Sequence, residues 1–160
     1  LQELDEAIAR ERLDFFFSLK RTPYIINSSR GEVVDTASLL AALAAGRVKD
    51  AIIDTWEYEP SISRELREVA YIATPHIAGY SADGKANATR MSLEALCRFF
   101  GIDAKFEILP PSLPPMQLSE DKEEAYLQYY NPLCDSERLK AAPDKFEWLR
   151  GNYPLRREAK

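Results

Sequence analysis

The chain has 160 residues, 46% of them apolar and 29% charged, with a net charge of −5. That balance suits a packed domain with a soluble surface and argues against general binding to nucleic acid or to anionic membranes. No apolar run approaches the roughly 18 residues needed to span a bilayer. No secretory signal is visible, and two distant cysteines beside a single histidine make a zinc site or other metal centre a poor reading and suit reduced thiols in the cytoplasm.

In chain order, residues 2–13 predict a surface helix with Leu4 and Ile8 on one side. Asp14 is placed to cap a second short helix through Phe15, Phe16 and Phe17, which Pro23 stops. Tyr24-Ile25-Ile26-Asn27 reads as a buried strand, with Ser28-Ser29-Arg30-Gly31 as the turn at its end. A helix from Asp35 through Leu39, Leu40 and Leu43 stops at Gly46. Ala51-Ile52-Ile53-Asp54 is the second strand, followed by a polar, aromatic loop to Pro60. Ser61 to Glu68 forms a short helix, and Tyr71-Ile72-Ala73-Thr74 the third strand.

Strands apolar on both faces, alternating with helices, predict a parallel α/β sheet. Right-handed crossovers place all its carboxyl ends on one edge, where open α/β folds bind ligands. Arg30, Glu59 and His76 each follow one of the three strands, so a guanidinium, a carboxylate and an imidazole are expected to converge there. A lone histidine is more simply read as a hydrogen-bonded structural group. In this company it becomes a candidate for proton transfer.

Ser81 caps a predicted helix to Phe100 that Gly101 closes. Its apolar positions, among them Leu93, Leu96, Phe99 and Phe100, cover so wide a surface that a helix buried between two bodies is expected. An ordinary core helix has the same periodicity. Pro110, Pro111, Pro114 and Pro115 mark a stiff connection and a boundary. Beyond it come an acidic helix from Ser119 that Pro132 ends, and short helices over 137–141 and from about Pro143. This tail is too short to bury much core alone, and its aromatic residues imply docking on the first part or on another subunit.

Ile26-Asn27-Ser28-Ser29-Arg30-Gly31-Glu32-Val33-Val34-Asp35, then Ala51-Ile52-Ile53-Asp54, Glu59-Pro60 and Thr74-Pro75-His76-Ile77-Ala78-Gly79 together resemble the D-isomer-specific 2-hydroxyacid dehydrogenases. The run Gly79 to Ala86 and the tail Phe146 to Glu158 are more specifically similar to the branch of that family acting on a phosphorylated hydroxy acid in pyridoxal phosphate biosynthesis, which carries an extra C-terminal dimerisation domain. The resemblance implies that Arg30 binds the substrate carboxylate, that His76 is the acid–base residue and that Glu59 orients it. It further implies that Asp54 and Gly79 lie at the nicotinamide end of NAD and that Tyr80 contacts the substrate. The expected partners are a small phosphorylated 2-hydroxy acid and a second copy of the chain. Another D-2-hydroxy acid, or a non-catalytic dimerising role, stays open beside that reading.

The family's GxGxxG turn, which cradles a pyrophosphate, is absent, and none of the six glycines has that spacing. The expected fold is therefore α/β: a partial Rossmann-like parallel sheet, the C-terminal half of an NAD-binding domain, over 1–80. A crossover helix over 81–101 and a small C-terminal dimerisation segment over 102–160 follow. Such a chain reads as the C-terminal part of a longer enzyme.

Overall fold

A computed structural model describes residues 11–112 and 117–158. The first part of the expected N-terminal helix, residues 1–10, and the linker residues Pro114 and Pro115 lie outside the described residues. Two compact units are present: one joins residues 11–77 to Pro132–Asn152, and the other joins Ala78–Asn131 to residues 153–158.

The first unit is built on three short parallel strands in the order β1 (Tyr24–Asn27), β2 (Asp50–Ile53) and β3 (Ile72–Ala73). Tyr24 is in register with Asp50, and Ile52 with Ile72. The crossovers are α2 (Thr36–Ala44) and α3 (Arg64–Val69). Both are capped as local chemistry dictates: Asp35 accepts from the Ser38 N–H at 2.8 Å, and Ser63 Oγ accepts from Leu66 N–H at 3.1 Å. Gly46, at φ 65°, closes α2 in the left-handed region that glycine reaches without penalty. Burial opposes the charged form of Asp35, but the Ser38 hydrogen bonds and the Arg12 guanidinium at 3.3 Å outweigh it and hold the carboxyl below its ordinary range.

Four expectations are corrected here. Residues 11–18 are helical throughout (α1), so Asp14 lies inside a helix and starts none. The second strand begins one residue earlier than its apolar run, at Asp50, and the short helix begins at Arg64 where Ser63 supplies the cap. The first strand is not buried on both faces in this chain: β1 is at a sheet edge, with Tyr24 and Ile26 exposed.

The other edge is covered. Helix α6 (Pro132–Ala141) lies against β3, where Ser136 Oγ accepts from Ala73 N–H at 3.0 Å and Lys140 Nζ donates to the Ala70 carbonyl at 2.6 Å. Pairing outward backbone groups with side chains is one way to finish a sheet edge. The core draws Phe16 from α1, Leu39 and Ala42 from α2, Ile53 from β2, Leu66 from α3, Leu139 from α6 and Phe146 from α7 (Phe146–Gly151). Residues 132–152, which begin 59 positions after the end of β3, thus pack with the sheet.

The second unit contains α4 (Ala82–Phe100), α5 (Lys122–Tyr129) and the end of the chain. Ser81 caps α4, accepting from Gly84 N–H at 2.9 Å, and Gly101 at φ 66° closes it. The wide apolar surface of α4 is not buried in this chain: Met91, Leu96, Phe99 and Phe100 are all exposed, and only Ala82 is buried. The end of the chain runs along the start of α4. Arg157 makes a two-pronged ion pair with Asp83 at 2.7 and 2.9 Å, and Ala82 N–H donates to the Arg156 carbonyl at 2.8 Å.

Candidate active site

The carboxyl ends of the three strands carry the loops that make the site. After β1, the Asn27 side chain donates to the carbonyls of Arg30 at 3.0 Å and Thr55 at 3.2 Å, tying the first loop to the second. Gly31 sits so close to the second loop that a Cβ there would lie 1.9 Å from the Trp56 carbonyl oxygen. Only glycine fits, and the reason is space rather than conformation, since its φ lies outside the left-handed region. Arg30 is thereby placed beside the loop that carries Glu59.

The second loop is fixed in turn. Glu57 accepts from the Thr36 N–H at 2.7 Å, a carboxylate set at the positive N-terminal end of α2. Trp56, nearly fully buried, donates its indole N–H to the Thr74 carbonyl at 2.9 Å, which ties the second loop to the third. The third is held from β2: one oxygen of Asp54 accepts from Thr74 Oγ1 at 2.6 Å and from Ile77 N–H at 2.8 Å, while His76 N–H donates to the Asp54 carbonyl at 2.8 Å.

His76 has φ 55°, a left-handed conformation that costs a non-glycine residue of order 1 kcal/mol and persists only where the surroundings over-determine it. Here they do, through the Asp54 contacts on both sides. Its Nδ1 meets Glu59 Oε2 at 2.8 Å, and both side chains are mostly shielded from solvent, 24% and 18% exposed. A carboxylate only accepts, so the imidazole proton sits on Nδ1 and Nε2 is left with its lone pair. Glu59 Oε1 accepts from the Trp56 N–H at 2.9 Å, which locks the carboxylate in place.

Arg30, Gly31, Glu32, Trp56, Glu57, Tyr58, Glu59 and His76 line one cavity of about 310 Å³. The three residues expected to converge from the strand ends therefore do meet around one space. Asp54 is buried behind them and holds the His76 loop. Gly79 and Tyr80 belong to the second compact unit, where the Tyr80 ring packs edge-on against Tyr153 and lies under Lys85 Nζ at 4.4 Å. Sequence reasoning missed Asn27, Trp56 and Glu57 as the groups that hold the loops. Asn27 alone had a signal, a polar side chain ending an otherwise apolar strand. It also missed Arg150 on α7, whose Nη1 lies 4.0 Å from Glu59 Oε2.

Residues 5–78 match the family described as D-isomer specific 2-hydroxyacid dehydrogenase, NAD binding domain. Over 148 residues the chain is 60% identical to an erythronate-4-phosphate dehydrogenase of Bacteroides thetaiotaomicron, covering 92% of this chain and 42% of that protein. A protein of the same name from Porphyromonas gingivalis is 43% identical over 150 residues, covering 88% of this chain and 40% of the relative. The chain thus spans less than half the length of these curated relatives. Among solved structures, apo D-mandelate dehydrogenase of Rhodotorula graminis aligns at a TM-score of 0.49 with 30% identity, over 65% of this chain and 30% of that one.

Proposed function

This chain belongs to the D-isomer-specific 2-hydroxyacid dehydrogenases, and from that premise we propose that it is the C-terminal part of an NAD-dependent enzyme of the cytoplasm. That enzyme oxidises 4-phospho-D-erythronate to (R)-3-hydroxy-2-oxo-4-phosphooxybutanoate, a step toward pyridoxal 5′-phosphate. The observation that carries the reading is the meeting of Arg30 and the His76–Glu59 pair on one cavity. The name shared by the similar proteins supports the choice of substrate.

The chemistry follows from the groups present. Arg30 offers an always-charged fork of donors for the substrate carboxylate, and orients the C2 hydroxyl toward the histidine. His76 Nε2 takes the hydroxyl proton as C2 becomes a carbonyl, and the imidazolium so formed is stabilised by Glu59 across the 2.8 Å contact. In the reverse direction the same nitrogen returns the proton. NAD, when bound, supplies the acceptor for the hydride that leaves C2. Asp54 and Gly79 are the positions of this chain that would lie at its nicotinamide end, and Tyr80 would contact the substrate. The chain has no GxGxxG turn, so its residues fit the proton-transfer half of such a site and not the pyrophosphate cradle.

Replacing His76 or Arg30 by alanine in the full-length enzyme is expected to remove most turnover. Near-normal kcat/KM in either variant would dismiss the assignment, and a preference for unphosphorylated 2-hydroxy acids would move it to another substrate. For the 160 residues alone, the missing cradle favours a second reading, a dimerising module without turnover. Titration with NAD is expected to give weak or undetectable binding, and tight binding would exclude that reading. Dimerisation is assigned to 102–160, where Tyr126, Leu127 and Trp148 present exposed apolar surface. A full-length enzyme whose mass by light scattering is monomeric would refute it.

A further inference from the structure

We propose that Arg150, on α7 and away from the cavity lining, is a positioning residue for proton transfer that acts through Glu59. The proposal rests on the reading of His76 as the acid–base group. Glu59 uses Oε1 to hold the Trp56 N–H, so Oε2 alone serves the histidine. That same oxygen lies 4.0 Å from Arg150 Nη1. A cation and an imidazole therefore share one carboxylate oxygen in a place where all three side chains are at least two-thirds shielded from solvent. Charges at such separations are felt strongly when water is partly excluded.

Two consequences follow. Arg150 gives the Glu59 oxygen a cation at 4.0 Å beside the imidazole at 2.8 Å, so the carboxylate that orients His76 is held between two partners. Arg150 also offsets part of the negative charge that His76 sees. A carboxylate alone beside an imidazole favours the protonated ring, and a base held as its conjugate acid cannot take the hydroxyl proton. The guanidinium is the counterweight that leaves His76 both oriented and able to accept.

The other charged or titratable groups facing the pair are Arg30, Glu32, Glu57 and Tyr58 around the cavity. Asp54 lies behind the histidine, and Glu147 lies 3.8 Å from Arg150 Nη1. All of them remain in every variant below, so differences between variants report Arg150.

His76 is the only histidine in the chain, so a proton NMR titration of this chain reads a single imidazole. Glu59→Gln is expected to move the midpoint down. Arg150→Gln is expected to move it up by about 0.5 pH unit, and Arg150→Lys by less than half as much. Should Arg150→Gln melt below the titration temperature, Arg150→Met, which keeps the packing of the stem, is read in the same way. In the full-length enzyme, Arg150→Gln is expected to move the acid limb of kcat/KM for oxidation to higher pH by a similar amount. A midpoint that stays or falls in the charge-removing variants overturns the proposal, as does a loss of rate equal at every pH. Turnover that survives His76→Ala would instead overturn the catalytic reading, and leaves the titration of the chain to stand or fall by itself.

Discussion

Gly31→Ala is the substitution that tests most directly how the site is held. The added Cβ would lie 1.9 Å from the Trp56 carbonyl oxygen, 2.2 Å from its carbon and 2.7 Å from Glu57 N. All three are backbone atoms, so no rotamer change relieves the clash. Reaching even 3.0 Å requires the first two loops to separate by about 1 Å. Overpacking of this kind costs about 1–3 kcal/mol, which for a chain of this size corresponds to roughly 3–10 °C in melting temperature. The same displacement acts on the chemistry, because Glu59 is anchored to Trp56 N–H and the indole to Thr74. A misplacement near 1 Å in a positioned pair costs about 10²-fold in rate. Melting of this chain by circular dichroism and kcat/KM of the full-length enzyme measure the two effects separately. A Gly31→Ala protein that melts with the unsubstituted one and turns over normally would show that the loops are not packed as described.

Leu139, fully buried on α6, is expected to cost about 2–5 kcal/mol when replaced by alanine. Denaturant unfolding of the chain measures this, and a loss under 1 kcal/mol would mean that residues 132–152 are no part of the core. Asp83 is held at about 2 chiefly by the hydrogen-bonded Arg157 guanidinium, against some desolvation and with help from the Glu158 N–H. Its folded value is depressed, so the stabilisation is complete above the ordinary value of 3.8 and is lost as pH falls through about 2. Both side chains are about four-fifths shielded from solvent. The gap in melting temperature between the unsubstituted chain and Arg157→Gln should therefore close between pH 4 and pH 2, and a gap constant over that range refutes the pairing.

What could be read from the sequence was whatever neighbouring residues decide among themselves. Asp35, Ser81, Gly46 and Gly101 mark helix ends because a cap needs only a side chain and the next turn of backbone. The convergence of Arg30, Glu59 and His76 was legible because parallel strands leave their carboxyl ends on one edge whatever their lengths. Asp14 misled for the converse reason. A residue suited to capping is also tolerated inside a helix, and the helix had already begun before it. Burial of Ile26 and of the α4 face was not decidable, since an apolar period says which side seeks cover and nothing about what supplies it. Arg150 could not be found, because its place beside Glu59 depends on α7 folding back across 91 positions of sequence.

The order in which the loops are tied explains why a site of three short strands can be rigid. Asn27 bonds the second loop from the first, Trp56 bonds the third from the second, and Asp54 bonds the third from its own strand. Each tie joins a side chain to a backbone carbonyl or N–H of another loop, and such groups cost 1–3 kcal/mol if left buried and unpaired. Moving any one loop would therefore break contacts on the next. The left-handed turn at His76 is held inside this chain of constraints. The imidazole is aimed before any substrate arrives, and binding energy need not be used to orient it.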